Sequence, residues 1–496
     1  MNGKHLAVDL GSSNGKMILA EIGQDERLTI EEVGRFPTPR VWLNGHICID
    51  TYRILAEIVT VLSRLGQDGI ALGSMGVDSW SSDYGVVTSF GDQIGLPVFY
   101  RDRRNNAMTE EVHRIISYEK LYAMTTQRRI RESTLCQLLA LRKENPSLLQ
   151  NGNKILFLGD LLMSHFSGKI CSEVTLASYS QMFSMKKMAW EDDVFELFDL
   201  PTSLQPEIVH PCDCLGRISQ NAAAWYGINQ FEIVAPAAHD TSSAVAAVPV
   251  EPGKRWAFIS TGSWFLVGME LDAPICLDQC YRYDFSNTAL AFGKTMLKRN
   301  VMAMWLLQAC KTTWAQMGIS YSDAEIVSLA ARAKPFYAIL DTEDSSLFNP
   351  LDMPQAIMDC LATHGQPSVK KDDVGQIARL IYEGIAYKCA YAIDCLEKVT
   401  GQTLDIIQVV GGASCVDMLN QMIASATNKE VAAGPREAAS IGNCLLQACG
   451  CGELSSREDI RQIVRNTYVL KHYYPENVSA WACRRDAYDQ VCGLEL

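Results

Sequence analysis

Three stretches of the 496-residue chain carry residue types that could do chemistry, and a fourth supports them. The first, HLAVDLGSSNGKMILAEI at positions 5–22, has an aspartate at the end of an apolar run, a Gly/Ser turn and a lysine. A phosphate-binding P-loop needs four residues between its glycines and a Ser or Thr after the lysine. Here only three residues separate Gly11 from Gly15, and Met17 follows Lys16, so the stretch is not a P-loop. The apolar runs on either side read instead as two short strands joined by a turn. Backbone N–H groups across Ser12, Ser13, Asn14 and Gly15 can cradle an anion, and small side chains let phosphate oxygens approach. Asp9 at the lip can hold Mg²⁺ directly or through water, or only cap its own turn.

The second stretch, APAAHDTSSAVAAVP, places Asp240, Thr241 and Ser242 at the start of a short buried helix. Such residues are ordinary helix caps. A carboxylate at this kind of position can also accept a hydroxyl proton during phosphoryl transfer. The third, GVDSWSSDYGVV, groups Asp78, Ser81 and Asp83 around Trp80. That mixture suits a polyhydroxylated ligand, and equally a strand end with a half-buried tryptophan. Arg101, Asp102, Arg103 and Arg104 just downstream read as a self-paired charged loop. The fourth stretch, VVGGAS at 409–414, is a strand running into a glycine turn, where a flat ligand or a phosphate could approach closely.

The elements that must position these residues are legible as an α/β series. Strand-like runs (LAVDL, MILAEI, ALGSMGVDSW, KILFLGDLLM) alternate with helical stretches such as TYRILAEIVTVLSRL, whose apolar residues recur at three- and four-residue steps. A second series begins near Val250 with RWAFISTGSWFLVGMEL, passes through NVMAMWLLQAC and IARLIYEGIAYKCAYAIDCLEKVTG as helices, and reaches the strand DIIQVVGG. The strand-turn-strand pair AVDLGSSNGKMILAEI and AFISTGSWFLVGMEL opens each half, which suggests duplicated domains, 1–245 and 246–496. The more polar segment after about Gly450 is expected to cover the second of them.

Bulk properties narrow the function. With 48% hydrophobic and 20% charged residues the chain is a globular protein too long for one core. A net charge of −13 argues against a nucleic-acid surface. The start MNGKHLAVDLGSS lacks a signal-peptide pattern, and no run approaches the ~18 apolar residues of a membrane span, so a cytoplasmic protein without membrane attachment is expected. Seventeen cysteines without repeated spacing point to reduced thiols. His210, Cys212, Cys214, Cys449 and Cys451 lack the two-residue gap of common zinc knuckles, which argues against a structural zinc.

Taken in order, VDLGSSNGK, VDSWSSDYG, YRDRRNNAM, TLCQLLALR, GDLLMSHFSG, ASYSQMF, HDTSSAVAAVP, STGSWFLVGME, KRNVMAMWLLQ, VVGGAS and AAGPREAASIGN resemble the FGGY carbohydrate kinases. The likeness runs from about residue 6 to residue 447. It implies an α/β, two-domain actin-like (ribonuclease-H-like) ATPase fold with the active site in the interdomain cleft. By that resemblance ATP and Mg²⁺ are the cofactors, with Ser12, Ser13, Asn14, Gly15, Lys16, Ser263, Gln308 and Gly411 at the nucleotide and Asp9 at the metal. Asp240 is the implied catalytic base. Ser81, Asp78, Trp80, His239, Thr241 and Asn300 are expected at the sugar.

Departures from the family pattern fall at Lys16, where Arg is usual, at Ala413 and Val416, at Ser81, and at Asn105, Asn106 and Ala107. Lys keeps the cation without the planar fork of Arg. The likeness within the family is greatest to kinases of L-rhamnulose, which implies phosphorylation at the terminal O1. L-fuculose, xylulose or a polyol, and a non-catalytic sugar or nucleotide sensor, are the alternatives. The expected partners are a small-molecule sugar and ATP, with the protein a monomer or homodimer.

Overall fold

The computed structural model describes residues 3–150, 152–318 and 320–495. The chain divides into two compact units. The first comprises Met1–Pro249, Glu270–Leu297 and Glu437–Thr467, and the second Val250–Met269, Lys298–Arg436 and Tyr468–Leu496.

In the first unit, β1 (Lys4–Leu10), β2 (Asn14–Ile22) and β3 (Leu28–Pro37) form an antiparallel meander. β4 (Leu72–Ser79) pairs parallel with β1 on its other side, and β5 (Cys214–Arg217) and β6 (Glu232–Val234) complete the order β5-β6-β4-β1-β2-β3. β1 and β4 are buried almost throughout, as strands covered on both faces must be, while β3 mixes buried and exposed positions at the sheet edge. Helix Thr51–Gln67 forms as its periodicity predicts. It buries Ile54, Ile58, Val61, Leu62 and Leu65, and its first turn is capped by Asp50, which accepts from Arg53 N at 3.1 Å.

In the second unit, β7 (Trp256–Thr261) and β8 (Trp264–Leu271, whose last two residues, Glu270 and Leu271, belong to the first unit) form the second hairpin. With β9 (Thr295–Met302, in this unit from Lys298), β10 (Ile406–Gly411), β11 (Glu430–Ala433) and β12 (Lys471–Tyr473), six strands of a seven-stranded sheet follow in the order β9-β8-β7-β10-β11-β12, and β7, β10 and β11 run parallel. The 27-residue helix Val374–Thr400 is buried along most of its length. Its buried Lys388 is held by Asp341 at 2.8 Å and Glu343 at 3.2 Å. Trp481 and Tyr488, on helix Val478–Val491, pack on Tyr387 with ring centroids 4.9 and 4.5 Å away.

Three expectations are corrected. KILFLGDLLM is a strand only over Lys154–Phe157, and from Leu158 it is the helix Leu158–Ser167, because a run buried on all sides shows no period to read. NVMAMWLLQAC begins as the end of β9, and its helix starts at Met304. The polar segment after Gly450 does not cover the second unit as a whole. Helix Arg457–Thr467 packs into the first, burying Ile460, Ile463 and Val464, with Arg457 and Arg461 paired to Glu270 and Thr467 Oγ1 accepting from Leu28 N at 2.8 Å. Only from Tyr468 does the chain return to the second unit. All seventeen cysteines are free thiols.

Candidate active site

Asp9 and Asp78 are register partners on the parallel strands β1 and β4, near the carboxyl ends where open α/β sheets collect ligands. Direct partners share a sheet face, so the two carboxylates stand side by side. Helix Ala438–Gly450 covers them. Ser440 Oγ donates to Asp9 Oδ2 at 2.8 Å, and Asn443 Nδ2 donates to Asp78 Oδ2 at 2.5 Å. Asn443 is oriented in turn by Gln447, whose Nε2 donates to its Oδ1 at 2.6 Å.

Asp240 joins them through the backbone. His239 bridges Ser79 in parallel fashion and Ser79 N donates to Ala238 O at 2.8 Å, so residues 238–239 lengthen the sheet beside β4. The helix Asp240–Ala246 then begins with Asp240 as its first residue. Asp240 Oδ1 accepts from Thr241 N at 2.5 Å and Thr241 Oγ1 at 3.2 Å, and the side chain remains 33% exposed, so it can meet a ligand. The approach to Asp240 is fixed from below. Glu173 Oε2 accepts from Ala238 N at 2.9 Å and from Thr175, whose Oγ1 accepts from His239 N at 3.0 Å. The His239 ring stacks on Tyr179 with centroids 5.4 Å apart.

Electrostatics follow from this crowding. Burial and the negative charge of Asp9 push the Asp240 carboxyl up to about 7. Burial, then Asp9, hold Asp78 well above the usual carboxylate range against the pull of Asn443. Lys16 lies opposite Asp9 across the β1–β2 pair. Its Nζ is 3.2 Å from Asp9 Oδ2 and is bonded to Glu437. Burial alone would lower its pKa, but the charges of Asp9 and Glu437 outweigh burial and keep it protonated.

The first turn is built to keep its oxygens occupied. Thr38 Oγ1 donates to Gly11 O at 2.7 Å, Arg40 to Ser12 O, and Thr38 N to Ser13 O at 3.0 Å. Ser13 and Asn14 are exposed and Ser12 half-buried. A Cβ on Gly15 would lie 2.4 Å from the Phe36 ring, so the glycine is required by packing under the turn. Trp80 does not offer an open aromatic face. It is 8% exposed, donates from Nε1 to Asp83 Oδ2 at 2.8 Å, and meets Phe99 edge-on at 6.3 Å. Asp78 is buried outright, whereas Ser81 is half-buried.

In the second unit, Ser263 and Gln308 are in contact, Oγ donating to Oε1 at 3.1 Å, and Trp305 N donates to Ser263 O at 3.0 Å. Gly411 is the register partner of Thr261, on adjacent parallel strands. Its φ is +90°, and a Cβ would lie 2.6 Å from Thr261 O, so only glycine fits. Thr261 Oγ1 donates to Val410 O at 2.7 Å and accepts from Ala413 N at 2.9 Å, lacing the hairpin to the glycine turn. Asn300 on β9 accepts from Lys298 Nζ at 3.1 Å.

Sequence reasoning assigned no role to Glu173, Glu437, Ser440 or Asn443. One signal for the last three existed. Residues 437, 440, 443 and 447 recur at three- and four-residue steps, a polar stripe on an otherwise apolar helix.

Asp9, Asp78 and Asp240 present oxygen donors of the kind a hard divalent cation takes, and Asp78 Oδ1 is buried with no hydrogen-bond partner among the described residues. Carboxylate oxygens of this kind suit Mg²⁺ held directly or through water. Residues 5–247 match the N-terminal domain, and residues 257–451 the C-terminal domain, of the FGGY family of carbohydrate kinases. The chain belongs to that family. This FGGY kinase is 31% identical over 481 residues to a rhamnulokinase of Bacteroides thetaiotaomicron, covering 97% of its own length and 98% of that protein. It is 31% identical to a rhamnulokinase of Lactiplantibacillus plantarum, covering 95% of each. Its fold matches a ligand-bound xylulose kinase from Lactobacillus acidophilus with a TM-score of 0.80 at 14% identity, covering 99% and 98% of the two chains. It likewise matches Plasmodium falciparum glycerol kinase with ADP, at 0.78 and 14% identity, covering 99% of each. The FGGY kinase thus has the two-domain actin-like, ribonuclease-H-like fold and is an ATP-dependent phosphotransferase with an alcohol acceptor. Among the described residues no helix is long and apolar enough to cross a membrane.

Proposed function

We propose that this kinase transfers the γ-phosphoryl group of ATP to O1 of L-rhamnulose, with Asp240 as the general base. The observation that carries the reading is the setting of Asp240. It starts a helix, is reachable by a ligand, is positioned through Glu173 and Thr175, and has a pKa raised to about 7. A base is most effective when its pKa lies near the working pH. The substrate follows from the near full-length likeness to rhamnulokinases.

Asp240 Oδ1 is held by Thr241, which leaves Oδ2 to take the O1 proton as the new O–P bond forms and the bond to the departing ADP oxygen breaks. Bound Mg²⁺ would neutralise phosphate charge, held by Asp9 and Asp78 directly or through water. Lys16 keeps an ammonium beside the Ser12–Gly15 turn, assigned with Ser263, Gln308 and Gly411 to the nucleotide. Ser81, His239 and Thr241 are assigned to the sugar. The cytoplasm, where ATP is supplied and thiols stay reduced, suits such a reaction.

The position of transfer is tested by phosphorus–proton NMR of the product made from L-rhamnulose. Phosphorus coupled to the two C1 methylene protons is expected. Coupling to a single methine proton would assign the phosphate to a secondary hydroxyl and refute the O1 reading.

A further inference from the structure

We propose that Asp344, Cys360 and His364 form a Zn²⁺ site in the second unit, separate from the Asp9 and Asp240 carboxylates. One ligand atom from each of the three residues lies within 4.8 Å of the other two. Two of them share a helix face by construction. Cys360 lies on helix Met353–Thr363, and His364 is the residue that ends it, a four-residue step that stacks side chains one turn apart. The third comes from the preceding loop, where Asp344 caps the turn Ser345–Leu347. Its Oδ1 accepts from Ser346 N at 2.8 Å and Ser346 Oγ at 2.6 Å, which fixes the carboxylate and leaves Oδ2 aimed at His364 Nε2, 3.1 Å away. An oriented carboxylate of this kind is what second-shell hydrogen bonds provide at metal centres.

The donor set selects the metal. Mg²⁺ and Ca²⁺ take oxygen ligands, whereas one thiolate, one imidazole and one carboxylate are the mixture bound by Zn²⁺. Three protein ligands leave a fourth position for water. Cys360 is 4% exposed, while Asp344 and His364 are half-buried, so an ion can enter from the Asp344–His364 side and meet the thiol at the bottom. Binding deprotonates Cys360, its proton passing to solvent, and replaces the Asp344–His364 hydrogen bond by two metal–ligand bonds.

The location gives the ion a mechanical role. Between Lys334 and Asp352 the only helix or strand is the turn Ser345–Leu347, and this segment presents Asp341 and Glu343 to the buried Lys388. Zn²⁺ would tie the segment to helix Met353–Thr363, adding metal–ligand bonds where Asp344 Oδ2 now meets His364 Nε2.

The test uses the full chain, stripped with a chelator and titrated with Zn²⁺ by calorimetry and with Co²⁺ by absorbance. One tightly bound Zn²⁺ per chain is expected, with a thiolate-to-Co²⁺ charge-transfer band. Cys360→Ser should remove the band, and Cys360→Ser and His364→Gln should each weaken Zn²⁺ binding at least about tenfold, since loss of even an outer-shell partner costs that much. Asp9→Ala should leave both readouts unchanged. Circular dichroism establishes that each variant is folded, and His364→Gln decides the matter if Cys360→Ser does not fold. Absence of saturable Zn²⁺ binding would overturn the proposal. So would a Co²⁺ thiolate band that survives Cys360→Ser and disappears on replacing Cys212 and Cys449, whose thiols are also neighbours.

Discussion

At the scale of the residue, Asp240 shows why position matters more than type. Aspartate at a helix start is ordinary, and its sequence context left cap and catalyst equally open. Burial and the charge of Asp9 give it a pKa of about 7, which predicts an acid limb in kcat/KM with activity rising as pH increases through about that value. Mg²⁺ near Asp9 offsets the negative charge, so the limb should move to lower pH as Mg²⁺ is raised. The stability effect has the opposite sense. Because the folded-state pKa lies above the unfolded value, the native protein holds the extra proton between roughly 4 and 7, and stability contributed by the neutral form is lost as pH rises through that window. Asp240→Asn should therefore be inactive yet unfold at higher denaturant concentration than wild type at pH 8. Urea titrations at pH 5 and pH 8 check this, and an equal midpoint difference at both would contradict it. Asp9 was legible as a charge at a strand end. Its pairing with Asp78 was not, because parallel register between strands nearly seventy residues apart leaves no local trace.

At the scale of the element, both hairpins were legible because an apolar run, a Gly/Ser turn and a second apolar run have few other solutions. Helix Ala438–Gly450 was not seen as part of the site, since its polar stripe reads as surface until the sheet beneath it is known. Its approach to helix Asp240–Ala246 depends on Gly442, where a Cβ would lie 1.8 Å from Ser243 O. Gly442→Ala must separate the helices. It should cost about 1–3 kcal/mol and lower kcat, because Ser440 and Asn443 are carried off Asp9 and Asp78. Ser322→Ala breaks the capping box with Glu325 on helix Asp323–Arg332 and provides the control. It should cost about 1 kcal/mol and leave kcat unchanged. Equal kcat values for the two variants would remove the helix from the site.

At the scale of the whole molecule, the sequence reads as two consecutive halves, and the hairpin that opens each supports that reading. The contacts describe a discontinuous first unit, completed by residues 270–297 and 437–467. Nothing local marks the return, because the buried faces of helices 438–450 and 457–467 match equally well to any apolar surface. The consequence is testable. A fragment of residues 1–249 lacks the helix that buries Asp78 and holds Asp9, and it should fail to give a cooperative thermal transition by circular dichroism. Adding residues 437–467 through a flexible linker should restore one, at least in part. A cooperative transition in the short fragment would show that the later segments are dispensable to the fold of the first unit.

The central claim, base-assisted phosphoryl transfer to L-rhamnulose, is tested most directly by sugar-dependent ADP release. Wild type and Asp240→Asn are assayed with ATP and Mg²⁺ against L-rhamnulose, L-fuculose, xylulose and glycerol. The account predicts the highest kcat/KM for L-rhamnulose and a loss of at least about 100-fold in Asp240→Asn, the low end for a general base. Turnover greatest with another acceptor, or an Asp240→Asn enzyme of wild-type rate, would contradict it.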